Sequence, residues 1–227
     1  MRTSGTYLLD SILLLGPTGV GKSPLGDAIA QRGLLGRRCH HLDFGSELRA
    51  AAADRERSAA YSTEELDFIH GVLEKGLLLE NEHFPLAVKI ITLFLDRSNF
   101  SRGERDILIL NGIPRHEGQA RDIAAIADIQ ALCVLDCSAD VVLDRLKNNV
   151  GGDRAERLDD NRSLVEKKLD IFRQRTKPLV DHYKNLGCRI YRISVTSAMT
   201  ADDACGVFSS LAAADPPVPL VAEPPQR

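Results

Sequence analysis

The chain has 227 residues, is 44% hydrophobic, 27% charged and 5% aromatic, and carries a formal net charge of −3. That profile excludes a fibrous or disordered chain, and so small a charge excludes a bulk electrostatic sink for nucleic acid or anionic lipid. At this length folding removes roughly 70% of the unfolded chain's surface from water, so a core forms without disulfides or structural metal.

The strands are predicted near 11–15, 38–42, 106–110, 132–136 and 189–193, as short runs apolar on successive positions. Amphipathic stretches near 22–32, 46–53, 63–75, 81–97, 117–127, 139–148, 161–185 and 201–213 read as helices. Such alternation is the mark of a parallel sheet covered on both faces. The expected fold is therefore α/β, a three-layer arrangement around a five-stranded parallel sheet, in one domain over 1–211. Three helices between strands two and three exceed the one a crossover needs, so residues 46–97 read as a helical insertion at the sheet's upper edge. The stretch 146–158 reads as a short lid, and 212–227, which contains PPVPLVAEPP, as a flexible Pro-rich tail.

The five cysteines, Cys39, Cys133, Cys137, Cys188 and Cys205, are odd in number and contain no CxxC pair. This argues against a disulfide framework or a zinc site and for a reducing cytoplasm. No signal-like start and no apolar run near the roughly 20 residues that span a bilayer are present, so no membrane contact is expected. Cys133 and Cys137 flank strand four as core residues, and His40-His41 lacks a third ligand at metal spacing, so His41 reads as buried or supporting. Val165, Leu169, Phe172, Thr176, Leu179 and Tyr183 form a stripe at helical spacing, which is packing.

The strongest local signal follows strand one. Gly16-Pro17-Thr18-Gly19-Val20-Gly21-Lys22-Ser23 is a full GxxxxGK[ST] match between a predicted strand and a predicted helix. Such a loop turns its backbone N–H groups onto phosphate oxygens, adds the positive end of a helix dipole, and brings a Lys to the outer phosphates. Ser23 is placed to put a hydroxyl on Mg2+. Pro24 has no N–H, so one possible phosphate donor is missing. Of the 29 basic residues 21 are Arg, the side chain whose fork matches phosphate oxygens in pairs, although a codon preference gives the same excess.

Three later segments join this loop. His41-Leu-Asp43-Phe-Gly45-Ser-Glu-Leu-Arg49 leaves strand two, Asn111-Gly-Ile-Pro-Arg115-His-Glu-Gly-Gln119-Ala leaves strand three, and Arg157-Leu-Asp-Asp precedes a helix with Thr176-Lys-Pro-Leu and Tyr183. With Asp144-Arg145-Leu in the preceding helix, this ordered set resembles the nucleoside monophosphate kinases of the adenylate kinase family, from about residue 11 to 195. The resemblance implies transfer of the γ-phosphoryl of ATP to a nucleoside monophosphate, AMP by virtue of Gln119, with Mg2+ as cofactor. It implies that the insertion binds the acceptor nucleotide, with Gly45, Arg49, Arg115 and Gln119 on the acceptor. Arg145 and the loop residues Gly16, Thr18, Gly19, Val20, Gly21, Lys22 and Ser23 would hold ATP. Lys22, Arg115, Arg157 and Lys168 would be catalytic, and a monomer is implied. Such chemistry is positioning plus neutralisation of crowded negative charge, which suits these cations.

The resemblance places Asn111 on Mg2+ through water, although the chain departs there from the acid of the family pattern, as it does at Asn149 and Lys168, where arginines are expected. Asp43 and Arg154 are candidate replacements for the acid at 111 and the arginine at 149. Two other functions fit parts of the pattern. One is a P-loop kinase of another small acceptor, CMP or a hydroxylated metabolite, with Asp43 as base; the other is a nucleotide-binding module with little catalysis.

Overall fold

The computed structural model describes residues 8–101, 106–148 and 162–218. Five strands form one sheet: β1 (Leu9–Leu15), β2 (Arg38–Asp43), β3 (Asp106–Asn111), β4 (Ala127–Asp136) and β5 (Arg189–Ser194). Their order is β2-β3-β1-β4-β5, and every pair is parallel. The expected five-stranded α/β P-loop architecture is therefore present.

Helices α1 (Lys22–Arg32) and α10 (Ala201–Ala214) cover one face. There Leu25, Ile29 and Phe208 pack on Ile12, Leu14, Ile109, Cys133 and Ile193. The opposite face meets Leu13, Leu15, Leu42, Leu108 and Leu110, and is covered by α2 (Phe44–Ala53), α4 (Thr63–Lys75), α5 (Phe84–Arg97), α6 (Glu117–Ile123) and α9 (Leu179–Asn185). Successive residues of β1 and β3 thus feed opposite cores, the period-two alternation of a strand buried on both sides. α5 is the crossover helix between β2 and β3. It buries Leu86, Ala87, Ile90, Ile91 and Leu95 along one stripe, each large side chain contributing about 1.5–3 kcal/mol. The short α3 (Arg55–Ser58), α7 (Ala139–Asn148) and α8 (Arg162–Ile171) complete the set.

Several boundaries differ from the sequence expectation. Among the described residues between β2 and β3 stand four α-helices and a 3-10 turn at Asn81–His83, not three helices. The helix expected over 117–127 ends at Ile123, because Ala127 already pairs with Leu9 and extends β4 by five residues. The stretch 161–185 is not one helix. A π-helical turn, Phe172–Thr176, separates α8 from α9, and Pro178 at the break lacks the N–H that an unbroken helix needs. α10 runs to Ala214 with Ala212 fully buried, so the domain does not end at 211. The proposed lid lies outside the described residues from 149 onward, as do Asn149, Arg154 and Arg157.

At the amino ends of β2 and β3 the paired residues Arg38 and Asp106 clip the strands together. Asp106 is 0% exposed, and its carboxylate accepts from Arg38 Nε at 2.9 Å, Arg38 Nη2 at 2.8 Å and the Ser101 N–H at 2.7 Å. His40 Nε2 lies 3.0 Å from it. Burial alone would raise this carboxyl, but the Arg38 guanidinium, the Ser101 N–H and His40 together hold it below its ordinary 3.8. A lowered folded value means that the stabilisation is present above that ordinary range and is lost as pH falls through the folded value. Asp106→Asn is therefore expected to cost about 1–3 kcal/mol at pH 7 in urea melts, and the gap to the parent chain to narrow as pH falls below 3.8.

Candidate active site

The carboxyl ends of β1, β2 and β3 open onto one cleft of about 150 Å3. Loops at this edge are where open parallel sheets place ligands, because the helices cover both faces. β1 ends in the GxxxxGK[ST] loop, which passes into α1 at Lys22. Gly21 caps that helix in the left-handed region, at φ 103°, a conformation that side-chain-bearing residues rarely adopt. The Lys22 ammonium donates to the Gly16 and Pro17 carbonyls at 2.8 Å each, folding back across its own loop. Pro24 sits in the first turn of α1, where an N–H has no partner within the helix, so it does not break the helix.

β2 ends at Asp43, which caps α2 by accepting the Ser46 N–H at 2.9 Å on Oδ1. Its other oxygen, Oδ2, accepts a very short hydrogen bond from the Ser23 hydroxyl and one of 3.1 Å from Asn111 Nδ2. Asn111, the last residue of β3, also places Nδ2 at 3.2 Å from Ser23 Oγ and 3.3 Å from His41 Nε2. His41 closes the chain of contacts with Nδ1 at 2.8 Å from the exposed Asp27. Since the Asn111 amide is a donor, His41 accepts on Nε2 and donates from Nδ1. Burial tends to raise the Asp43 carboxyl. The Ser23 and Ser46 hydrogen bonds, with the nearby Arg49 guanidinium, outweigh it, so Asp43 stays below the ordinary carboxylate range.

Arg49, one turn along α2, and Arg115, in the loop after β3, line the cleft across from the P-loop, with Gly45 beside Arg49. Neither guanidinium makes a hydrogen bond or ion pair among the described residues. Burial lowers the Arg115 guanidinium from its usual value, and Asp43 partly offsets this. Arg115 is held through its backbone: its N–H donates to Gln119 Oε1 at 2.8 Å, and its carbonyl accepts from Thr176 Oγ1 at 2.8 Å. Lys168, from α8, also faces the cleft. Oxygen donors at Ser23 and Asp43 beside a phosphate loop, with Asn111 Nδ2 turned to both, suit a hard divalent cation such as Mg2+.

The cleft therefore brings together Gly16, Thr18, Gly19, Gly21, Lys22, Ser23, Gly45, Arg49, Asn111, Arg115 and Lys168 of the residues singled out from sequence. It does not include three others. Val20 is buried in the core, so only its backbone belongs to the loop. Gln119 is 3% exposed, and its amide bridges the Arg115 N–H and the Leu79 carbonyl, the latter at 2.8 Å. Arg145, 5% exposed, lines a separate depression of about 40 Å3 with Gly21, Pro24, Val195 and Met199. Its Nη1 donates to the Thr196 and Met199 carbonyls at 2.9 and 2.7 Å. Arg157 lies outside the described residues.

Sequence reasoning missed Val72, Leu73, Gly76 and Thr176 as cleft residues and the loop 196–199 as the support of Arg145. Val72 and Leu73 carry the same helical apolar spacing as core residues, and a backbone carbonyl leaves no trace in residue type. A signal did exist for Thr176, since it stands two residues before the only proline of that helical stretch.

Taken together, the strand–loop–helix cradle, the parallel sheet and the ring of cations at its carboxyl edge define a P-loop kinase. No family model matches the chain. Curated relatives do: an adenylate kinase of Rickettsia typhi is 27% identical over 207 residues, covering 78% of this chain and 87% of its own. A UMP-CMP kinase of Gallus gallus is 24% identical over 194 residues, covering 83% and 90%. Among solved structures, a gluconokinase from Sinorhizobium meliloti covers 92% of this chain and 96% of its own at 17% identity and a TM-score of 0.46, too distant to inform the site. The chain is a phosphotransferase related to the nucleoside monophosphate kinases of the adenylate kinase family.

The contacts at Asn111 depend on how closely α1 approaches β2. A Cβ at Gly26 would stand 2.3 Å from the His41 ring, so only glycine lets the helix seat here. Gly26→Ala is expected to cost about 1–3 kcal/mol by overpacking, read as a lower urea midpoint with an unchanged slope.

Proposed function

We propose that the chain transfers the γ-phosphoryl group of ATP to a nucleoside monophosphate, AMP in the first instance, in the presence of Mg2+. The observation that carries this reading is the placement of Arg49 and Arg115 in the cleft opposite Lys22, with neither guanidinium hydrogen-bonded or ion-paired among the described residues. Buried or half-buried arginines without a carboxylate partner are costly unless an anion visits them. Two of them facing a phosphate loop suit a second phosphate-bearing substrate.

In this reading the loop 16–23 cradles the donor phosphates, with Lys22 turning from the loop carbonyls to the outer phosphates. Arg145, held against Gly21, forms one wall for the donor's base. Gly45 leaves room beside Arg49 for the acceptor's phosphate, Arg115 lies between the two substrates, and Lys168 adds positive charge from α8. Residues 46–97 form the acceptor side, and 146–158, which include Arg157, form the cover. Gln119 holds Arg115 in place, and it recognises an adenine only by exchanging its bond to the Leu79 carbonyl. The relatives' names support both an AMP and a pyrimidine nucleotide acceptor. Ser23, with the ends of β2 and β3 beside it, would hold Mg2+, which supplies charge neutralisation on the phosphates when bound.

A kinase of a hydroxylated metabolite is the second reading, favoured by Asp43 in the cleft as a possible base. The carboxylate is already engaged by Ser23, Ser46 and Asn111, whereas an ionised phosphate acceptor needs no base at all. ADP formation from ATP is expected with AMP or CMP and not with polyols or sugar acids. Transfer to a non-nucleotide and none to any nucleoside monophosphate would overturn the proposal. Arg115→Ala is expected to lower kcat by about 100- to 1,000-fold. Arg49→Ala is expected to act mainly through the KM for the acceptor, with the KM for ATP unchanged.

A further inference from the structure

The register of β2 and β3 pairs Asp43 directly with Asn111, at the carboxyl ends of the two strands. The family resemblance leads one to expect an acid at 111; here that position is an amide, and the acid stands at the paired position on the neighbouring strand. The two side chains touch, with Asn111 Nδ2 at 3.1 Å from Asp43 Oδ2, and the Ser23 hydroxyl donates to the same oxygen. We propose that the metal-holding carboxylate of this chain has crossed from β3 to β2, so that Asp43 with Ser23 holds the divalent cation of the bound nucleoside triphosphate and Asn111 is a positioning residue. This rests on the reading of the cleft as a nucleotide site.

The physical reason lies in the distance between the two positions. Carboxylates at both would face each other at hydrogen-bond range, and like charges so close cannot both ionise without a large penalty. One acid and one amide keep a single negative charge beside Ser23 and replace repulsion with a hydrogen bond. Asn111 is then the complement of Asp43 and not the loss of a ligand.

The surroundings fix both groups. Oδ1 of Asp43 is held by the Ser46 N–H at 2.9 Å, which directs Oδ2 toward the P-loop. The Asn111 amide is oriented by His41, whose far nitrogen is held by Asp27. Mg2+ keeps several waters and takes one or two carboxylates plus substrate phosphates, so one carboxylate and one hydroxyl suffice.

The test titrates Mn2+, followed by its electron paramagnetic resonance, into the full chain carrying a non-hydrolysable ATP analogue, with analogue binding measured separately in EDTA. Asp43→Asn keeps the volume and the helix cap. It is expected to leave analogue binding in EDTA intact and to weaken Mn2+ binding by about 10- to 100-fold. The double exchange Asp43→Asn with Asn111→Asp, which returns the acid to β3, is expected to regain most of that loss and covers the case in which the single variant folds poorly. Mn2+ binding as tight in Asp43→Asn as in the parent overturns the proposal, as does a double exchange that binds Mn2+ no better than the single variant. If the parent chain fails to bind the analogue in EDTA, the nucleotide reading itself falls, and this inference with it.

Discussion

Burial of β1 and β3 on both faces is the constraint from which the rest follows. A strand whose every side chain enters a core has no place for charge along its length, since an unpaired ion in such surroundings costs several kcal/mol. Charged groups can appear only where the strands end. Parallel strands end together, so Lys22 and Ser23, Asp43, and Asn111 with Arg115 reach one edge from three separate parts of the chain. The amino ends carry the reverse arrangement: Asp106 is closed off by Arg38, His40 and the Ser101 N–H, which ties the edge strand β2 to β3 around a fully buried carboxylate.

The two ends of the β2–β3 pair show what separates a structural cluster from a working one. At Asp106 the donors surround a single carboxylate and satisfy it. At the carboxyl end the balance is the other way, since Lys22, Arg49, Arg115 and Lys168 face the cleft and Asp43 is the one acidic residue lining it among the described residues. The excess positive charge is local, and it sits within a chain whose formal net charge is −3. A phosphate site built this way needs no basic surface, because low dielectric walls and short distances do the work that bulk charge does for nucleic-acid binding.

Much of this was legible in the sequence, for reasons that can be named. The P-loop is read from residue type because each position answers a local demand: glycine for left-handed backbone, lysine for phosphate, hydroxyl for metal. Short apolar runs mark the strands, but they mark β4 only from 132, because Ala127, Asp128 and Gln130 do not look like a buried strand until Leu9 pairs with the first of them. An unbroken stripe at helical spacing over 161–185 predicts one long helix. The π turn and Pro178 interrupt the backbone without disturbing that stripe, so periodicity alone could not reveal the break.

What the sequence determined by itself is local: a phosphate cradle between a strand and a helix, alternating buried strands, and a set of arginines following strand ends. Tertiary structure decided which of those groups meet. It turned Gln119 inward to the Leu79 carbonyl, set Arg145 against Gly21 on the carbonyls of the loop after β5, and paired Asp43 with Asn111 across β2 and β3. These outcomes depend on strand register and on backbone carbonyls from distant segments, and neither is written in the identity of any single residue. A register is a property of two strands at once, which is why a departure at one position acquires meaning only when its neighbour across the sheet is known.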